Sequence, residues 1–209
     1  MKVLVVGEGP HDQAVVPALV RKLCPQVEPA EFCRWTDVSR FGPGARKGLA
    51  GKVQAAILRS HRLLGYDGTI CVVDRDGDEG RAAALEQGRL AGLALVDSAH
   101  RAACGVAVES IEAWTLGARE ALAEELSLPV ERLHRSYPAG VHVEQLKESS
   151  GKPEHRPKTL LGQLCQLANQ TDCGDLRRSV AERVDPETLR TACPKGFAPF
   201  AESLRSAFL

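Results

Sequence analysis

Apolar positions along the chain change rhythm several times, and each change marks an element. Residues 2 to 6, Lys-Val-Leu-Val-Val, form a short β-rich run that stops at the turn Gly7-Glu8-Gly9-Pro10. Beyond it Asp12 is placed to cap a helix reaching about Cys24, with Pro17 deep enough to bend it. A second strand is expected around Glu31 to Asp37. The Gly-rich stretch Phe41 to Gly51 leads into a helix on which Leu49, Val53, Ala56, Ile57 and Leu64 recur at helical spacing, stopped by Gly65. Thr69-Ile-Cys-Val-Val73 has no alternation, the pattern of a strand buried on both faces. Glu79 to Leu95 reads as a helix interrupted by Gly88 and Gly92, and Gly105 to Val108 as a further strand. Ser110 is placed to cap a helix beginning Ile-Glu-Ala-Trp, and another helix is expected over Arg119 to Leu126.

Strand and helix therefore alternate as far as about residue 128, which predicts an α/β domain with a mostly parallel sheet, Rossmann-like, flanked by helices. Residues 129 to 158 carry Pro129, Pro138, Pro153 and Pro157 among polar residues and should be mainly a loop-rich connection. Residues 159 to 209 predict three short helices, begun near Thr159, Asp175 and Phe197, as a helical appendage packed on the first domain.

Composition narrows the function. The 209 residues carry 27 Lys plus Arg and 27 Asp plus Glu, so the formal charge is zero and any polyanion must be bound by a local patch. Aromatic residues are only 4%, too few for a platform on which bases stack. Seven cysteines, none in a CxxC or zinc-ligand pattern, signal neither a disulfide framework nor structural zinc, and Cys24, Cys71, Cys104 and Cys165 read as reduced core residues. No apolar run approaches the roughly 20 residues that span a bilayer, and the opening one breaks too early for a signal peptide, so a cytoplasmic location is expected.

The acids fall at strand ends. Glu8 follows the first strand; Asp74-Arg-Asp-Gly-Asp-Glu79 follows the third; Glu109 follows the fourth, with Glu112 one helical turn on. In an open parallel sheet those ends converge on one edge. Carboxylates crowded there repel by roughly 4 kcal/mol per close pair at an effective dielectric near 20. A hard divalent cation answers that repulsion, and an oxygen-only ligand set of Glu8, Asp74, Asp76, Asp78, Glu109 and Glu112 points to Mg²⁺ or Mn²⁺ working on phosphate. The plain alternative is helix capping, which suits Asp12 and Asp78 better than Glu8, Asp74 or Asp76.

Near-fits are excluded by their own chemistry. Asp74-x-Asp-x-Asp78 has the first oxygens of an EF-hand, but Glu79 stands where that loop needs Gly and Leu85 where it needs Glu. Gly7-Glu-Gly9 lacks the third glycine of a dinucleotide fingerprint, and Glu8 would face a pyrophosphate of its own sign. Asp74-x-Asp-Gly77 also resembles the nucleophile loop of haloacid-dehalogenase-like phosphatases, in which Asp74 would be phosphorylated; that reading leaves Glu8 without a role.

Glu8 in Val5-Val-Gly-Glu-Gly9, with Asp74-x-Asp76 at the end of the third strand, resembles the TOPRIM domain of topoisomerases, bacterial primases and OLD-type nucleases. The likeness is greater to small bacterial TOPRIM-like proteins, through Glu-Gly-Pro-His-Asp at 8 to 12, Val-Asp-Arg-Asp-Gly-Asp at 73 to 78, Glu-Ser-Ile-Glu-Ala-Trp at 109 to 114 and Cys-Pro-Lys-Gly-Phe-Ala-Pro-Phe at 193 to 200. The resemblance implies proton transfer by Glu8 and Mg²⁺ binding by Asp74 and Asp76. With only Tyr66 and Tyr137 and no room for a strand-passage domain, topoisomerase chemistry is not expected, and metal-dependent phosphodiester hydrolysis remains. OLD-type nucleases pair the domain with an ATPase; the chain has no Gly-x-x-x-x-Gly-Lys-Ser/Thr loop, so such a partner would be a separate chain, and a role in phage defence would be in keeping. A non-catalytic subunit of an ATPase complex is the remaining alternative.

A nucleic acid has two candidate tracks. Between Asp37 and Asp67 there is no acid, while Arg46, Lys47, Lys52, Arg59 and Arg62 are basic, Lys52 and Arg59 sharing a helix face. His155 and Lys158 in the long loop form the second, and His11, beside Glu8, is placed to meet a phosphate or carry a proton. Each has an ordinary counterpart in a solvated face, a surface linker or a turn histidine. Trp114, Phe197 and Phe200 read as core.

Overall fold

The computed structural model describes residues 1–138 and 141–209. Among them four strands, β1 (Lys2–Gly7), β2 (Glu28–Arg34), β3 (Gly68–Asp74) and β4 (Arg101–Ala107), form one parallel sheet in the order β2-β1-β3-β4. The α/β class expected from the alternation is the class observed. Helix α1 (Pro10–Leu23) links β1 to β2; a short α2 (Trp35–Val38) and α3 (Gly48–Arg62) link β2 to β3; α4 (Arg81–Leu93) links β3 to β4. Then come α5 (Glu112–Gly117), α6 (Arg119–Glu125), α7 (Val130–Ser136), α8 (Pro157–Leu167), α9 (Gly174–Arg183), α10 (Pro186–Ala192) and α11 (Phe197–Phe208).

Two apolar layers cover the sheet, which is why β3 is buried at every position. On one face Val3, Val5, Ile70, Val72, Ala103 and Ala107 meet α1 and the helices that follow β4. On the other, Leu4, Val6, Cys71 and Val73 meet Val53, Ala56 and Ile57 of α3 and Leu85 of α4. The seven cysteines are all free.

Several elements depart from the sequence expectation. β2 begins earlier than expected, at Glu28, and yields to α2 before Asp37; as an edge strand it tolerates Pro29. β4 also starts earlier, at Arg101, through small residues of weak β preference. α1 is entered from Gly9, and Asp12 sits in its first turn with Oδ2 accepting the Gly9 N–H at 3.0 Å, so it caps from inside the helix. Ser110 does not cap α5; its flanking residue is Ile111. The expected loop contains α7, while residues 139 and 140 of it lie outside the described residues. Four helices, not three, fill the C-terminal part, because Asp185 caps α10 by accepting the Thr188 N–H at 2.8 Å.

The C-terminal helices complete the first layer. Trp114, Phe197 and Phe200 are 1% exposed or less, with Trp114 stacked on Phe200 at 5.3 Å between ring centroids, as expected for core residues. Phe200 lies on Gly105 of β4 so closely that a Cβ there would meet its ring at 2.5 Å. Ser203 of α11 accepts the Cys104 N–H at 3.0 Å, satisfying part of the open edge of β4. The start of α11 is held by buried Glu144, whose carboxylate accepts the N–H groups of Lys195 at 2.9 Å and Gly196 at 2.6 Å. Glu144→Ala would leave both donors unsatisfied, and urea unfolding should report a loss of about 1–3 kcal/mol; an unchanged midpoint would show that α11 docks without them.

Candidate metal centre

The chain order reverses between β1 and β3, since β1 leads to β2 on one side and β2 crosses to β3 on the other. A crevice opens outside the carboxyl ends of strands at such a switch point. Val6 lies opposite Cys71 in the β1–β3 ladder, so Glu8 and Asp74, two and three residues further on, leave the sheet side by side.

Asp74, the last residue of β3, is buried, and its Oδ1 accepts the Ile111 N–H at 2.9 Å. It thereby ties the end of β3 to the residue that precedes α5. Burial, then the neighbouring Asp12, Glu112, Asp76 and Glu8, push its pKa up to about 8. Asp12 is buried too; its pKa is raised by desolvation to about 6, and its Oδ1 has no partner. Gly7 makes this approach possible, because a Cβ there would lie 2.7 Å from that of Asp12. Glu8 is half-buried and also raised, first by burial and further by Asp76, against the pull of Arg81 and Lys52.

Glu112 is almost fully buried. Burial works against its charge, but Arg177 of α9 overrides it and holds the carboxyl below its ordinary value. Arg177 Nη1 donates to Glu112 Oε1 at 2.7 Å, while Nε and Nη2 form a fork on Asp172 at 2.7 and 2.6 Å. Glu112 Oε2 has no partner, and the Ser110 hydroxyl lies close enough to favour the charged carboxylate without a bond of good geometry.

The outer acids are taken up by arginines. Arg81 Nη1 stands 3.3 Å from Glu8 Oε1 and 3.4 Å from Asp76 Oδ2, and also donates to the Asp74 carbonyl. Asp78 lies 4.0 Å from Arg81 Nε and accepts the Gly80 N–H at 2.8 Å, so its capping role holds as well. Glu109 pairs with Arg75 at 3.4 Å. Asp76 and Glu109 have φ of 48° and 62°, left-handed backbone uncommon for residues with a Cβ. Their loops are joined, with the Asp76 N–H donating to the Glu109 carbonyl at 3.3 Å and the Arg75 N–H to that of Ala107 at 2.8 Å.

Glu8, Asp12, Asp74, Asp76 and Glu112 thus act on one another, whereas Glu109 is engaged with Arg75. Among the described residues no group of three or more His, Cys, Asp or Glu side chains is gathered closely enough to hold an ion as it stands. The donor set nevertheless fits a hard divalent cation: it is all oxygen, the buried carboxylates of Asp12 and Glu112 carry unpartnered oxygens, and Asp12 and Asp74 are raised by burial and by the neighbouring acids.

Of the basic candidates, Lys52 in the first part of α3 lies near enough to act on Glu8. Arg59 stacks on the Phe41 ring at 4.4 Å, and Arg62 donates to the Leu95 carbonyl at 3.1 Å. Arg46 ends a 3₁₀ turn and Lys47 adjoins α3. His11 is lowered by burial and by Arg177, and Lys158 in the first turn of α8 also acts on it; its Nδ1 is buried without a partner. His155 ends a 3₁₀ turn with its N–H donating to the Lys152 carbonyl.

Sequence reasoning missed Arg81 and Arg177 and saw in Asp12 only a cap. Signals existed: Arg81 opens a helix whose dipole disfavours a cation, and Arg177 shares a face with Val180 and Ala181. No family model, no curated protein and no solved structure matches the chain, so its function is argued from this geometry.

A raised acid destabilises the fold once it must ionise. Between 3.8, the ordinary value, and about 8 the folded chain holds more protons at Asp74 than the unfolded one, so stability falls as pH rises through that window. Thermal denaturation in EDTA should give a lower Tm at pH 8 than at pH 5. Asp74→Asn, which keeps an acceptor for Ile111, should recover on the order of 2 kcal/mol at pH 8. A Tm flat across this range, or lowered by Asp74→Asn, would contradict the assignment.

Proposed function

We propose that the protein is a Mg²⁺- or Mn²⁺-dependent phosphodiesterase acting on nucleic acid, a nuclease or the nuclease subunit of a larger assembly. The observation that carries this reading is the placement of Glu8, Asp74 and Asp76 at the neighbouring carboxyl ends of β1 and β3, beside the orphaned oxygens of Asp12 and Glu112. The arrangement accords with the TOPRIM resemblance.

In this reading Asp74, Asp76 and Asp12 hold the ion, with Glu112 beside them. When bound, the cation supplies Lewis-acid stabilisation of the charge that develops on the phosphate. Glu8, half-exposed and raised above its ordinary value, is suited to exchange a proton at the attacking or leaving oxygen. The Ile111 N–H fixes the carboxyl of Asp74, and Arg177 fixes that of Glu112, so neither has to be ordered when substrate arrives. Lys52 on one side and Lys158 on the other are the cations that would receive backbone phosphates. No described helix is long and apolar enough to cross a membrane, and a cytoplasmic setting, with Mg²⁺, nucleic acid and reducing conditions for seven thiols, goes with this reading.

Asp74 is poorly suited to act as a phosphatase nucleophile, since one of its carboxylate oxygens is engaged by the Ile111 N–H. Single-stranded DNA, duplex DNA and RNA assayed with Mg²⁺ or Mn²⁺ should be hydrolysed by the wild type, with Glu8→Ala and Asp74→Ala each slower by at least about 100-fold. Hydrolysis of phosphomonoesters that survives Glu8→Ala, with no attack on the polymers, would replace the nuclease by the phosphatase.

A further inference from the structure

Arg81 is the first residue of α4, where the free N–H groups of the opening turn carry positive partial charge and disfavour a cation. Its guanidinium still reaches across the crevice, with Nη1 at 3.3 Å from Glu8 and 3.4 Å from Asp76, and Nε at 4.0 Å from Asp78. The same Nη1 donates to the Asp74 carbonyl. One side chain thus bridges carboxylates from the ends of β1 and β3. A divalent ion taken up by Asp76 would have to share Oδ2 with this guanidinium or displace it.

We propose that Arg81 is the resident counter-cation of the crevice, standing in for the metal until the metal displaces it, so that loading is an exchange of one cation for another. The inference rests on the metal-dependent reading above and adds a competitor to it. A monopositive guanidinium leaves and a dipositive ion enters, so that Asp76 becomes available to the ion and Glu8 is freed for proton exchange. Apparent metal affinity is then set by the difference between the two sets of contacts. Arg81 is a positioning residue in this scheme, acting through the carboxylates.

A merely structural arginine and a competing one predict opposite signs. Removing a structural arginine loosens the crevice and weakens metal binding or leaves it unchanged; removing a competitor strengthens it. Mn²⁺ titration of the full chain by calorimetry or electron paramagnetic resonance, at constant ionic strength, reads the difference directly. Arg81→Gln should bind Mn²⁺ about tenfold more tightly than wild type, given partly exposed pairs of modest strength summed over several acids. Arg81→Lys, whose compact ammonium cannot bridge as widely, should fall between them. Equal or weaker binding by a folded Arg81→Gln, checked by circular dichroism, overturns the exchange while leaving the metal reading in place. If that variant does not fold, Arg81→Lys decides on the same criterion. Absence of Mn²⁺ binding by wild type and both variants overturns the metal reading itself, and the exchange with it.

Discussion

Mutual repulsion among carboxylates brought to one sheet edge is the constraint that organises the rest of the molecule. The fold answers it in two ways. Glu8 and Asp76 receive Arg81, and buried Glu109 receives Arg75. Glu112, also buried, has Arg177, a cation whose own desolvation is offset by a fork on Asp172. Asp12 and Asp74 receive only backbone N–H groups, and burial pushes both up, to about 6 and about 8. A neutral carboxyl is the least costly state for such a group in a crevice without a cation, which makes these the positions most responsive to one.

Rigidity comes from the layers beneath. Glu8, Asp76 and Glu109 sit on loops, but each within a residue or two of a strand end, and the β3 and β4 loops are laced together by backbone hydrogen bonds. Left-handed backbone at Asp76 and Glu109 persists because that lacing determines it from both sides. Farther off, Phe200 on Gly105 and Glu144 at the start of α11 fix β4 against the C-terminal helices. Glu112 and Arg177, 65 residues apart, can therefore meet with short hydrogen bonds in the core.

Much of this was legible in the sequence, and the part that was not has a common cause. Thr69–Val73 announces a doubly covered strand because it shows no polar alternation and Ile70 to Val73 are all apolar, and the location of Glu8 and Asp74 follows once the strand ends are known. Edge strands are harder. Both β2 and β4 begin ahead of their expected starts, β4 through Ala102, Ala103 and Cys104, because position in the sheet overrode local preference. Asp185-Pro186 was a helix start that also reads as a breaker. What could not be read is which arginine meets which acid. Arg177 and Glu112 lie on helices 65 residues apart, both beyond β4, and no local rule pairs them.

The charge pattern has a consequence for the order of events in the proposed chemistry. A polyanion approaching a crevice of uncompensated acids is repelled, and Lys52 and Lys158 at its flanks offset only part of that repulsion. In the proposed chemistry a divalent ion would reduce that repulsion, so metal and nucleic acid would bind with positive coupling even though they share few ligands. Arg81 would sharpen this. With the guanidinium on Glu8 and Asp76 the acids are partly neutralised, whereas its exchange for a divalent ion would both raise the local charge and free a tethered cation beside Glu8. The single net charge gained at the carboxylates, together with the arginine released from them, favours phosphate at the step where it is needed. A crevice built this way discriminates against binding nucleic acid without metal, which a permanently basic surface on a chain of zero formal charge would not do.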